Sequence, residues 1–303
     1  MDEQLRAELA AIGQMVNAYN VAVGHNGIPF ERQLYDQSGL GMGFPPGLQV
    51  ETVYADGLEI ERLTPAGAET DRAILYLHGG GFCIGSPRSH RSMVAAIASA
   101  AGCVAYVPNY RLAPEHPFPA ALEDAAKAFE FMREAGVPES RTVFAGDSAG
   151  GGLALVAAMA HHALGLPEPS GLVLLSPWAD LTNSGPSYGL KANVDMIVKK
   201  SRLNEMASAY AGEAFTHDAA VSPLMGDFTG LPPIYVQVGS EEILLSDSIR
   251  IAEQAGLTGV TVSLEVWPHL PHVFHFFHPI LRPARAAIER VGGFIRHHQS
   301  LTS

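Results

Sequence analysis

The sequence predicts an α/β fold, a mostly parallel twisted sheet flanked by helices. Three observations carry that reading. From about residue 48 onward, short β-branched and aromatic runs alternate with longer helical stretches, the pattern of a sheet covered by helices. Gly146-Asp147-Ser148-Ala149-Gly150-Gly151 lies between a strand-like run at 141–145 and an alanine-rich helix from Gly152. His78-Gly79-Gly80-Gly81-Phe82 likewise follows a strand-like run at 73–77.

Taken in order, residues 48–53 and 58–63 read as an antiparallel pair around the Ala55-Asp56-Gly57 turn. The strand at 73–77, a helix at 89–100, a strand at 103–107 and a helix at 120–134 follow. After the serine turn and its helix come strands at 172–175 and 233–238, a helix at 245–255, a strand at 260–267 and a last helix at 282–297. Two segments break the alternation. Residues 1–45 open with a helix at 3–19 and pass into a Gly/Pro-rich loop ending at Phe44-Pro45-Pro46-Gly47. Residues 183–220 separate two strands by far more than an ordinary connection, with a helix expected at 201–210. Long insertions of this kind usually carry function.

Composition removes several function classes. At 303 residues, 47% hydrophobic and 17% charged, the chain can bury a large core. A net charge of −12 argues against nucleic acid or an anionic membrane surface as partner. No apolar run approaches the ~20 residues of a membrane span. The N-terminus has no basic-then-apolar signal pattern, so a cytoplasmic protein is expected. Cys83 and Cys103 are the two cysteines, and they are expected as packed thiols rather than a disulfide.

The chemistry begins at Ser148. A serine between a strand and a helix, with Gly146, Ala149 and Gly150 around it, fits the G-x-S-x-G elbow that lifts a hydroxyl onto a helix N-terminus. An N-capping serine in a glycine-rich turn is the plain alternative. The His78–Gly81 run offers backbone N–H groups that can approach a developing oxyanion without obstruction by side chains. A phosphate loop is excluded there, because neither G-x-G-x-x-G nor Gly-Lys-Ser/Thr follows.

A serine nucleophile needs a base. His269, His272, His275 and His278 recur every three residues after the last strand. That spacing invites a metal reading, but Pro268 and Pro271 oppose a helix and no carboxylate ligand accompanies them. His272 is favoured because Pro271-His272-Val273 follows the strand in a loop, where an imidazole can reach over the serine. The chain order serine, acid, histidine then requires a carboxylate after the 233–238 strand, where Glu241, Glu242 and Asp247 stand. Asp147 is expected to point away from the Ser148 side chain.

These motifs resemble the bacterial hormone-sensitive-lipase-like esterases (family IV) of the α/β-hydrolase fold. The resemblance covers most of the chain: His78–Gly81, Asn109-Tyr110-Arg111-Leu112-Ala113-Pro114-Glu115, the serine elbow, Ser176-Pro177-Trp178-Ala179-Asp180 and Pro271-His272-Val273. It implies a carboxylic ester hydrolase acting on short- to medium-chain acyl esters through an acyl-enzyme, without metal or organic cofactor. It also implies that 1–45 and 183–220 form a helical cap over a catalytic core of 46–182 and 221–303. By the same likeness His272 is the base, Gly80 and Gly81 join Ala149 in the oxyanion hole, and Trp178 and Asp180 are structural. Glu242-Ile243-Leu244-Leu245-Ser246-Asp247 matches the family's Asp-Pro-Leu-Leu-Asp-Asp-like run, with glutamate first and isoleucine for proline, which aligns Glu242 with the triad acid. Arg111 and Glu115 are expected to pair with each other. A homodimer through the strand at 260–267 is a further implication. An amidase, formamidase or lactonase would use the same mechanism. A non-catalytic receptor on the same fold is the reading from another class, and an intact triad disfavours it.

Overall fold

The computed structural model describes residues 1–24, 26–212 and 216–300. Its centre is an eight-stranded sheet: β1 (Gln49–Ala55), β2 (Leu58–Thr64), β3 (Glu69–Leu77), β4 (Cys103–Pro108), β5 (Thr142–Asp147), β6 (Gly171–Leu175), β7 (Ile234–Gly239) and β8 (Val262–Trp267), in the spatial order β1-β2-β4-β3-β5-β6-β7-β8. The β1–β2 and β2–β4 pairs are antiparallel and every later pair is parallel. β8 forms one edge, the strand expected at 260–267.

Period-two alternation splits the strands' side chains between two cores. On one face Ile74, Ala105, Val143, Val173 and Tyr235 pack with Met93 and Ile97 of α3 (Pro87–Ala101) and Ile288 and Val291 of α9 (Arg282–Ser300). On the other, Leu75, Val104, Phe144, Leu172 and Val236 meet α4 (Ala120–Glu134), α5 (Ala149–Ala163) and α8 (Leu245–Leu257) through residues such as Phe129, Leu153 and Ile251. Burial on both faces explains why β4 to β7 read as continuous apolar runs.

The N-terminal segment departs from the sequence reading. α1 (Glu3–Val23) is present and capped by Asp2, whose carboxylate accepts Leu5 N. A second helix, α2 (Gly27–Leu40), occupies most of the stretch expected as a Gly/Pro-rich loop. Pro29 sits within the first turn, where a missing N–H costs nothing. Gly39 is no breaker either. A Cβ there would run into the Ser89 backbone of α3, so the glycine permits close helix contact.

The 183–220 segment carries α6 (Ser187–Leu190) and α7 (Lys200–Ala211), the latter matching the helix expected at 201–210. Residues 213–215 of that segment, residue 25 of the 1–45 segment and residues 301–303 of the proposed core lie outside the described residues. Among the described residues, no helix is long and apolar enough to cross a membrane.

Candidate active site

Ser148 joins β5 to α5 with φ 52° and ψ −122°, a left-handed conformation that is strained for a residue with a side chain. The surrounding glycines make the turn possible. A Cβ on Gly146 would strike the Gly150 carbonyl, and one on Gly150 would strike the Leu77 carbonyl at the end of β3. The turn is pinned from both sides: Ser148 N donates to Leu175 O at 2.9 Å, and its carbonyl accepts Trp178 N at 2.8 Å and Gly151 N at 3.0 Å.

Asp147 ties this turn to the glycine loop after β3. Its Oδ1 accepts the Tyr76 hydroxyl at 2.8 Å and Gly79 N at 3.1 Å, and its Oδ2 faces His90 Nε2 at 3.3 Å. Burial pushes its pKa up, but the charge and hydrogen bond of His90 and the Tyr76 hydroxyl outweigh that and hold it below the usual carboxylate range. In the loop itself Gly80 has φ 115° and Gly81 φ 60°. Side chains are excluded at both: a Cβ would meet the Ile84 carbonyl at Gly80 and the Met206 sulfur of α7 at Gly81.

Glu242 is fully buried. Its Oε1 accepts Gly239 N at 2.6 Å and the Ser176 hydroxyl at 2.8 Å, while Oε2 meets His272 Nδ1 at 2.7 Å. His272 is itself buried. Burial pulls its pKa down, but the Glu242 hydrogen bond and charge, helped by Asp195 and Asp147, win and raise it above the ordinary 6.5. Ser176 also accepts Val273 N at 3.1 Å, so one hydroxyl holds both Glu242 and the histidine loop. Sequence reasoning gave Ser176 no role. Its position just past β6, at the carboxyl ends of the parallel strands, is the signal that marks it.

Ser148, His272, Gly80 and Gly81 line one cavity of about 790 Å³. Its other walls come from Met15, Val16 and Tyr19 of α1, Ile28 and Tyr35 of α2, and Leu203 and Met206 of α7, with Met196–Lys199 between strands. Ala149, buried, opens α5 directly after the serine.

The competing residues face elsewhere. His269 is exposed and donates its backbone N to Ser240. His275 bonds Gln237 at 2.8 Å and is held at about 3 by burial, and His278 faces Ser92 at 3.1 Å. Glu241 pairs with Lys191 at 3.5 Å. Asp247 accepts Ala179 N, Asp180 N and the Tyr188 hydroxyl, with burial pushing its pKa up to about 7. The expected Arg111–Glu115 pair is corrected. Arg111 forks onto Asp124 and Glu123, each at 2.9 Å, whereas Glu115 pairs with Arg32 at 2.8 Å, a residue of the helix α2 that the sequence reading did not anticipate. Trp178 Nε1 donates to Asn183, and Asp180 binds Arg250, Thr182 and Ser184, consistent with supporting roles. Burial pushes the Cys83 thiol up to about 11 and that of Cys103 to about 12, so neither is a thiolate at neutral pH.

Residues 74–276 match the family model for the alpha/beta hydrolase fold. The chain is 43% identical over 256 residues to an acetyl-hydrolase of Streptomyces hygroscopicus, covering 84% of each chain. It is 32% identical over 252 residues to an esterase of Acinetobacter venetianus, covering 82% of each. Among solved structures, an esterase from the bacterial hormone-sensitive lipase family superposes with a TM-score of 0.94 at 39% identity, over 99% of this chain and 100% of that one. A hormone-sensitive lipase from a metagenome library superposes at 0.89 with 33% identity, over 95% of this chain and 98% of that one. The sheet order, the serine turn and these likenesses agree: the chain belongs to the bacterial hormone-sensitive lipase family of the α/β-hydrolase fold.

Proposed function

We propose that this carboxylesterase works through a Ser148–His272–Glu242 triad. His272 takes the Ser148 proton as the hydroxyl oxygen attacks the ester carbonyl; the tetrahedral oxyanion is met by the N–H groups of Gly80, Gly81 and Ala149. Collapse expels the alcohol, protonated by His272, and leaves an acyl-enzyme. Water, deprotonated by the same imidazole, then releases the acid. Glu242 holds the Nδ1 proton and stabilises the imidazolium. The observation that carries this reading is one cavity lined by Ser148, His272 and the glycine loop, with the Glu242 carboxylate 2.7 Å behind the imidazole. A short-chain aryl ester tests it: rapid mixing should release a burst of chromophore equal to the enzyme concentration. Turnover without covalent modification of the enzyme would contradict it.

Activity requires neutral His272, so the reading also fixes a pH dependence. The kcat/KM profile should fall as pH drops, with its acid limb centred above the ordinary imidazole value of 6.5 because Glu242 favours the protonated ring. A flat profile from about pH 5 to 8 would argue against a histidine base.

Residues 1–45 and 183–220 act as a cap that limits the acyl group to short and medium chains, over a core of 46–182 and 221–303. The support is that side chains of α1, α2 and α7 wall the same cavity as Ser148. Removing α1 outright would uncover Ile12, which is packed with Phe274 and Leu281, so point variants separate selectivity from stability. Val16→Phe should shift preference toward acetyl over hexanoyl aryl esters, and Tyr19→Ala toward hexanoyl, each changing the ratio of kcat/KM by roughly 10-fold, the scale of a methylene in an apolar pocket. Unchanged ratios in both variants would refute the cap's role. A second copy of the chain would pair along the free edge of β8.

A further inference from the structure

Asp195 lies in the segment between β6 and β7 and is almost fully buried. Among the described residues its carboxylate forms no ion pair and is held instead by backbone N–H groups. One oxygen accepts Ile197 N at 2.9 Å and Val198 N at 2.8 Å, closing the turn whose residues wall the cavity. The other accepts Ile243 N at 2.8 Å. Ile243 is the residue immediately after Glu242, and its carbonyl accepts the Ser187 hydroxyl from the same segment. The stretch that carries the triad acid is therefore gripped at both backbone groups of one residue. A buried carboxylate is costly unless hydrogen-bonded, so this grip has a definite geometry.

We propose that Asp195 is a positioning residue for the triad acid, fixing the backbone from which Glu242 reaches His272. The inference rests on the triad reading given above. A glutamate carries one more rotatable bond than an aspartate, so its carboxylate is placed only as well as its backbone is. Misplacement of about 1 Å can cost on the order of 100-fold in rate. Asp195 also acts through charge. Among the described residues, the charges that act on His272 are Glu242, bonded to it on the acid loop, and, from further off, Asp195 on the inserted segment and Asp147 before the elbow, with His275 coupled to it on its own loop. The three carboxylates favour the imidazolium, so removing one lowers the base's pKa.

Asp195→Asn and Glu242→Gln are compared with wild type on an acetyl aryl ester across pH, alongside thermal denaturation. Asp195→Asn should lower plateau kcat by roughly 10- to 100-fold and move the acid limb to lower pH. Lower thermal stability with wild-type kcat and an unmoved limb would make Asp195 merely structural and overturn the proposal. Collapse of Glu242→Gln beside a wild-type Asp195→Asn would sink this proposal alone. Wild-type behaviour in both would sink the triad reading and this proposal with it. Should the asparagine variant fail to fold, Asp195→Glu decides, because it keeps the charge and changes the reach. A kcat lowered at least about threefold at an unmoved acid limb supports the proposal, and wild-type kcat overturns it.

Discussion

Ser148→Ala and His272→Ala are each expected to lower kcat by roughly 10⁴- to 10⁶-fold, and the double variant no further. In the proposed mechanism the two groups act as one unit. Without the imidazole the hydroxyl keeps its proton at the moment of attack, and without the hydroxyl the imidazole has nothing to activate. The residual rate over water should come from the glycine loop and from binding, neither of which these variants touch. Losses that add in the double variant would mean that the two residues serve different steps. His269→Ala, at an exposed position, should leave kcat near wild type. His275→Ala removes the partner of the buried Gln237 Oε1 and should act on stability rather than on chemistry. Collapse of activity in either, with His272→Ala active, would reassign the base.

Glu242→Gln is expected to cut kcat by roughly 10⁴-fold while preserving the fold. The Glu242 carboxylate accepts Gly239 N, the Ser176 hydroxyl and His272 Nδ1–H, so every neighbour is a donor. A glutamine must turn its own NH₂ toward one of them. If the amide nitrogen faces His272, the imidazole flips to the tautomer that cannot accept the serine proton. If it faces Gly239, two donors oppose each other at a contact now 2.6 Å long. In both cases the imidazolium formed during attack loses its counter-charge. Glu241→Gln, which gives up a pair with Lys191 and leaves an amide oxygen that can still accept the Ser240 hydroxyl, should keep kcat within a few-fold of wild type. Asp247→Asn should do the same, because Asp247 anchors Ala179 and Asp180 and does not touch His272. Near-wild-type Glu242→Gln with collapse in one of the other two would move the triad acid there.

What could be read from the sequence divides along physical lines. The sheet was legible because strands buried on both faces write themselves as apolar runs, and the elbow because only small residues fit around Ser148. The histidine loop was legible from its place after the last strand. Glu242 was narrowed by chain order to one of three carboxylates, and only resemblance chose among them; in the structure it, and neither rival, lies against His272. α2 was missed because Gly27, Pro29 and Gly39 look like breakers, whereas Gly39 answers to the Ser89 backbone of another helix. That miss carried a second one, since Glu115 finds its cation, Arg32, on the same helix. Ser176 and Asp195 could not be read from local pattern. Their partners lie 66 and 48 residues away; Ser176 is marked only by its place just past β6, and Asp195 by nothing in its own stretch of chain.

The most direct test of the account is to locate the covalent intermediate. The enzyme is exposed to an aryl phosphonate ester that esterifies activated serines, and the adduct is mapped by intact mass and peptide mass spectrometry. The account predicts one adduct per chain, on Ser148, formed in step with loss of esterase activity and absent from Ser148→Ala. An adduct on another residue that tracks the loss of activity, or full inactivation of Ser148→Ala activity by the same reagent, would contradict it.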